Sequence, residues 1–148
     1  MKALTLWRPW PAAIFFFSDK YWKDIENRPY RPPQSVIGQR IAIHAGKRLD
    51  KEAFDQWLEI MKPNILSTVV FLESWKEISE MEGIIGTVVI DSVCKPEETD
   101  SQWASGPVCL KLRDRRHLKA PIPCKGKQGY WNVPLEIEHL IKRREVQK

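Results

Sequence analysis

Cysteine is scarce in this 148-residue chain and follows no framework: Cys94, Cys109 and Cys124 are widely spaced, with no C-x-x-C. An odd count at such spacing argues against a disulfide scaffold and for a reducing, cytoplasmic setting. His44, His117 and His139 fall into neither H-x3-H nor H-E-x-x-H spacing, so no metal and no cofactor is expected. Long apolar runs are missing as well. Ile14-Phe15-Phe16-Phe17 is far too short to cross a bilayer, and the N-terminal Met-Lys-Ala-Leu-Thr-Leu-Trp-Arg has no signal-peptide stretch. A soluble protein with no membrane role is expected. There is no internal repeat, no linker and no low-complexity segment, and the phosphate-cradling pattern G-x-x-x-x-G-K-[ST] is absent.

What is present is ordinary for a folded chain, with 43% hydrophobic and 29% charged residues. The length suits one domain over residues 1–148. Two features stand out. Seven tryptophans are available to fill a core or to stack on flat ligands. The net charge of +5 is also uneven: residues 111–148 hold eleven Lys/Arg against four Asp/Glu, whereas residues 1–110 hold thirteen against fifteen. A basic segment of this kind attracts polyanions, or simply keeps a tail in solution.

Patterning predicts an opening strand at Ala3–Leu6, then a short buried helix from Trp10 to Phe17 introduced by Pro9. Asp24–Arg28 reads as extended and Tyr30–Gly38 as a loop. Arg40–Ala45 alternates as a strand, and Asp50 is placed to cap a helix running to about Met61. Ile65–Trp75 fits helix or strand, with helix preferred. Gly83–Val93 is the strongest strand, and Gly86 within it signals a bulge or a close backbone approach. A polar loop, a strand at Val108–Leu112 and a final basic helix over about 134–146 complete the reading. Strands broken irregularly by helices favour an α+β fold with a small curled sheet or barrel.

Four constellations could carry chemistry. Trp7-Arg8-Pro9-Trp10 puts two indoles and a guanidinium at a strand-to-helix junction. Trp7 reads first as a core plug, and Trp10 equally as core or as a stacking platform. Lys23-x-x-Glu26-x-Arg28 would set Glu26 and Arg28 on one face of an extended segment; the pairing is either a structural clamp or a polar site able to meet a base edge. His44 matters only if it shares a cavity with Glu26. Finally, Lys125-Gly126-Lys127, followed by Tyr130-Trp131, combines cations, a glycine that lets backbone N–H groups approach an anion, and aromatic rings.

Taken in order, these pieces resemble an ASCH domain of the PUA-like superfamily. The likeness rests on Leu4-Thr5-Leu6-Trp7-Arg8-Pro9-Trp10-Pro11-Ala12, on Lys23-x-x-Glu26-x-Arg28, on Ile41–Ala45, on Gly83–Val88, and on Pro123-Cys124-Lys125-Gly126 with Trp131. It implies a small PUA-like β-barrel with flanking helices, and a cleft lined by the first, second and last of these segments. The family is associated with RNA or DNA binding, and some members act as nucleases or as amidohydrolases on acylated cytidine. Those amidohydrolases carry a nucleophilic Thr where this chain has Glu26, which argues against that reaction here.

The leading expectation is therefore a module binding single-stranded RNA or DNA, or a nucleotide, through Trp7, Arg8, Trp10, Lys23, Glu26, Arg28, His44, Lys125, Gly126, Lys127 and Trp131. A base would lie against Trp10, and the cationic stretch Lys111–Lys119 would help hold phosphates. A second reading is a ribonuclease or modified-nucleoside hydrolase, with Lys23, Glu26 and His44 as its acid–base set. A third is an adaptor that meets a protein partner through the basic last helix.

Overall fold

The structure is a computed structural model in which residues 1–146 are described. They form β1 (Lys2–Arg8), α1 (Trp10–Phe15), β2 (Ile25–Arg28), β3 (Arg40–Leu49), α2 (Ala53–Met61), α3 (Ile65–Glu80), β4 (Gly83–Cys94), β5 (Val108–Ile122), β6 (Tyr130–Asn132) and α4 (Leu135–Arg144). One six-stranded sheet runs in the order β2-β5-β4-β3-β1-β6. Its β1–β3 pair is parallel and the other four pairs are antiparallel. The protein is thus α+β with a mixed sheet.

The closed barrel expected from the sequence is not formed, because β2 and β6 are the two edges of the sheet and do not pair. At four and three residues, both are short for a ladder. The sheet nevertheless curls until its edges approach: Tyr130 on β6 lies within electrostatic reach of Arg28 and Glu26 on β2.

The centre of the sheet follows directly from composition. Residues Gly83–Ile90 of β4 are buried without interruption, as a strand covered on both faces requires. Gly86 fulfils both expectations at once. The β3–β4 register slips between Ile43 and His44, and a Cβ on Gly86 would stand 2.5 Å from the Phe15 ring and 2.7 Å from the Arg116 carbonyl.

β5 is far longer than its predicted Val108–Leu112. Its charged residues imitate a loop, but the register with β4 slips at three places, and Asp114 takes a positive φ of 51°. Asp tolerates that region better than most residues, and the strand bends there rather than ending.

The ambiguous segment after Pro63 is α3, started by the Asn64 side chain, which accepts from the Ser67 N–H at 2.9 Å. Three apolar clusters hold the layers together. One fills the inside of the curl with Leu4, Leu6, Ile41, Ile43, Ile85, Val88, Ile90 and Leu110. A second, rich in aromatics, seats α1, α2 and α3 around Trp57. The third seats α4 through Ile141 against Leu118, Ile122 and Trp131. Among the described residues no helix is long and apolar enough to cross a membrane.

Candidate functional site

A cleft of about 950 Å³, bounded by β1, β2, β3 and the 123–129 segment, opens on the sheet, a size typical of small-molecule sites. Trp7, Trp10, Glu26, Arg28, His44, Lys125, Gly126 and Lys127 all line it. Eight of the eleven candidate residues, scattered over more than a hundred positions, are therefore brought to one place. Arg8, Lys23 and Trp131 are not on its surface.

Glu26 is the polar centre. As residues two apart on β2, Glu26 and Arg28 share a face. One carboxylate oxygen accepts from Lys23 Nζ at 2.8 Å, and the other lies 3.4 Å from an Arg28 guanidinium nitrogen. Lys23 is buried behind Glu26 and also donates to the Ile25 carbonyl. It is a structural counter-charge that holds the carboxylate in place, and it opens instead toward a second cavity of about 530 Å³. Trp10 and Glu26 line both spaces and form the partition between them. Each carboxylate oxygen keeps acceptor capacity beyond one hydrogen bond, so Glu26 can still meet a donor from the cleft side.

His44 meets the condition set for it, since it shares the cleft with Glu26. It is only 4% exposed. Its Nε2 lies 2.8 Å from the Cys124 carbonyl oxygen; because a carbonyl only accepts, Nε2 carries the hydrogen and Nδ1 is the free acceptor. Nδ1 is buried with no hydrogen-bond partner. The ring is wedged edge-on against Trp131, centroids 5.7 Å apart, and Trp131 donates from Nε1 to Thr5 Oγ1 at 3.0 Å. Trp131 thus acts behind the wall, orienting His44 and Thr5. Gly126 closes the arrangement: a Cβ there would fall 2.6 Å from Thr5 Oγ1 and 2.7 Å from His44 Nδ1. Only glycine lets the Lys125–Lys127 backbone lie this close to both side chains.

Of the two readings left open for Trp10 the packing favours the core, whereas Trp7, read first as a core plug, is exposed. Trp10 belongs to the aromatic cluster, edge-on to Trp57 and Trp103, and donates from Nε1 to Asp50 Oδ2 at 2.7 Å. Asp50 accepts the Glu52 N–H with its other oxygen, so it organises the start of α2 while anchoring Trp10. Trp7, expected in the core, is 46% exposed at the cleft, with the Arg48 guanidinium 3.7 Å over its ring. A strand alternates its faces, and Leu4 and Leu6 already take the inner one; Trp7 has to point out. Arg8 is consumed structurally, donating to the carbonyls of Ser79 at 3.1 Å and Lys47 at 2.8 Å.

The cationic stretch Lys111–Lys119 does not reach the cleft. Arg113 pairs with Asp91, Arg115 with Asp19 and the carbonyls of Ile14 and Phe17, and Arg116 with Asp114 and Glu145. The three arginines of β5 are thus spent on holding the fold. Cleft residues that the sequence did not mark include Thr5, Lys47, Glu82 and Gln128. Thr5 is the neighbour of His44 in the parallel β1–β3 register, a pairing no local pattern announces. Burial holds the Tyr130 phenol above its ordinary range, with the Arg28 charge pulling the other way. It raises the Cys124 thiol too, which keeps that cleft residue in its unreactive, protonated form.

No protein-family model matches the chain, and no curated protein matches its sequence.

Proposed function

We propose that this chain is an ASCH-type module that binds single-stranded nucleic acid, RNA in the first instance, by taking one base into the cleft bounded by β1, β2, β3 and the 123–129 segment. In this reading the curled sheet is a PUA-like barrel left open between β2 and β6. One observation carries the proposal: the buried Glu26 carboxylate with its partly exposed partner Arg28, the His44 ring, the exposed Trp7 ring and the Lys125-Gly126-Lys127 loop all line a single cleft. A base edge carries both donors and acceptors. Glu26 accepts, Arg28 donates, and Trp7 offers an aromatic surface beside Arg48. Arg28, Lys47, Lys125 and Lys127 outnumber Glu26 and Glu82 in the lining, which favours a polyanion.

Titration with short single-stranded RNA and DNA, followed by tryptophan fluorescence at two salt concentrations, tests this directly. Salt-sensitive quenching with intact strands is expected. Each phosphate neutralised should contribute a slope of about −0.7 to log K against log salt. Absence of any binding at low salt would reject the reading.

A hydrolase acting on a nucleotide is supported by a separate observation, a histidine and a carboxylate, His44 and Glu26, lining one cleft. The acid–base set is then Glu26 and His44, with Lys23 as a buried positioning residue. Strand cleavage or nucleoside turnover during the titration, lost in Glu26→Gln, would favour that reading over binding alone.

A further inference from the structure

Cys94 and Cys109 are fifteen positions apart in the chain but adjacent in the sheet. Cys94 ends β4, Cys109 is the second residue of β5, and the two are directly opposed across the antiparallel ladder. Opposed antiparallel residues have Cα atoms about 4.5–5.5 Å apart, within the roughly 4.4–6.8 Å that a disulfide spans. Their side chains leave the same face of the sheet. Both thiols are free and near enough to influence each other directly. Cys109 is opposed on its other side by Asn27 of β2, whose Oδ1 accepts from Cys109 Sγ at 3.6 Å. Asn27 also holds the β4–β5 connection: Oδ1 accepts the N–H groups of Ser105 and Gly106, both at 2.9 Å, and Nδ2 donates to the Trp103 carbonyl at 2.8 Å. One row of three side chains therefore links the neck of the 95–107 connection to the β2 residue lying between Glu26 and Arg28.

We propose that Cys94 and Cys109 form a reversible dithiol–disulfide site, oxidised by a low-molecular-weight disulfide, whose state is passed through Asn27 to β2. Cys94 is half-buried and reacts first, whereas Cys109 is fully buried. The Cys94 thiol gives its proton to solvent, and the thiolate attacks one sulfur of the small disulfide, forming a mixed disulfide and expelling one small thiolate. Burial disfavours the Cys109 thiolate, so the second step is the slow one: Cys109 passes its proton to solvent and attacks the adjacent Cys94 Sγ, forming the intramolecular bond and expelling the second small thiolate. The two electrons lost by the protein thiols are gained by the small disulfide, and the two released protons are taken up by the two thiolates. A bridge between directly opposed strands is constrained by the ladder, which favours ready reduction. Oxidation also removes the S–H donor from Asn27 Oδ1. Cys124 packs in a different apolar cluster and serves as an internal control.

The test is to equilibrate the full, reduced chain with glutathione disulfide and glutathione at several ratios, then to quench, alkylate and weigh it. The expected product has lost two hydrogens, retains one alkylatable thiol at Cys124, yields a Cys94–Cys109 cross-linked peptide and reverts with dithiothreitol. Hydrogen exchange in peptides covering 25–28 and 95–107 should slow in the oxidised form. Three alkylatable thiols in the most oxidising buffer, or a stable glutathione adduct on Cys94, would overturn the site. Clean oxidation with unchanged exchange over 25–28 would overturn the link through Asn27. In Cys94→Ser, Cys109 should stay unmodified; modification at the wild-type rate would overturn the order of attack. None of these readouts depends on nucleic-acid binding.

Discussion

His44 donates from Nε2 to the carbonyl of Cys124 at 2.8 Å, and this bond dictates the chemistry of the other ring nitrogen. With Nε2 protonated, Nδ1 is an acceptor, buried beside Thr5 and Gly126 without a partner. An unsatisfied buried acceptor is costly, and a ligand that drew the Gly126 backbone aside would relieve that cost. Nitrogen NMR should show the Nε2–H tautomer in the free protein, with the Nδ1 resonance moving when single-stranded RNA saturates the cleft. A spectrum unchanged on saturation would remove His44 from the contact surface.

Trp7 and Trp10 should separate binding from stability. Trp7→Ala removes an exposed ring, so its urea midpoint should barely move while oligonucleotide affinity falls by about 1–3 kcal/mol, the usual worth of one stacked base. Trp10→Ala empties part of the aromatic cluster and strips Asp50 of a donor. It should cost about 3 kcal/mol or more of folding stability. Equal stability losses in the two variants would contradict the different settings of the two rings.

The Lys23–Glu26 pair offers a double-mutant cycle. Both side chains are buried, so Glu26→Ala leaves an ammonium without its partner and should cost about 3–5 kcal/mol. Lys23→Met combined with Glu26→Ala should recover part of that loss, because no buried charge then stands alone. Strictly additive urea-melt energies would mean that the two groups do not interact across the 2.8 Å contact.

Alkaline pH should weaken the fold through its thiols. Burial raises Cys109 and Cys124 above the ordinary thiol value of 9.0. A raised folded value means that the native state holds its protons longer than the unfolded chain. This contribution is complete below 9.0 and is lost as pH climbs through the raised folded values. Urea midpoints under reducing conditions should therefore fall between neutral pH and about pH 10, just past the usual thiol range. The fall should be smaller in Cys109→Ala with Cys124→Ala; an identical fall would assign the alkaline limb to other groups.

Much of this protein is written in local pattern. The unbroken apolar run of β4, the alternation of Arg40–Ala45, the helices after Pro9 and Pro134, and the one-face placement of Glu26 and Arg28 all follow from short-range periodicity. Sterics and hydrophobic burial act there over a few residues. Three things depended on tertiary structure. The sheet stays open because β2 and β6 approach without pairing, and edge pairing is a long-range choice. The charged residues of β5 became ion-paired strand rather than a polyanion-binding arm, because Asp91, Asp19 and Glu145 reach them from distant elements. The rows Thr5–His44 and Asn27–Cys109–Cys94 exist only through strand register. Register is settled by how whole faces of a sheet bury, which no single segment encodes.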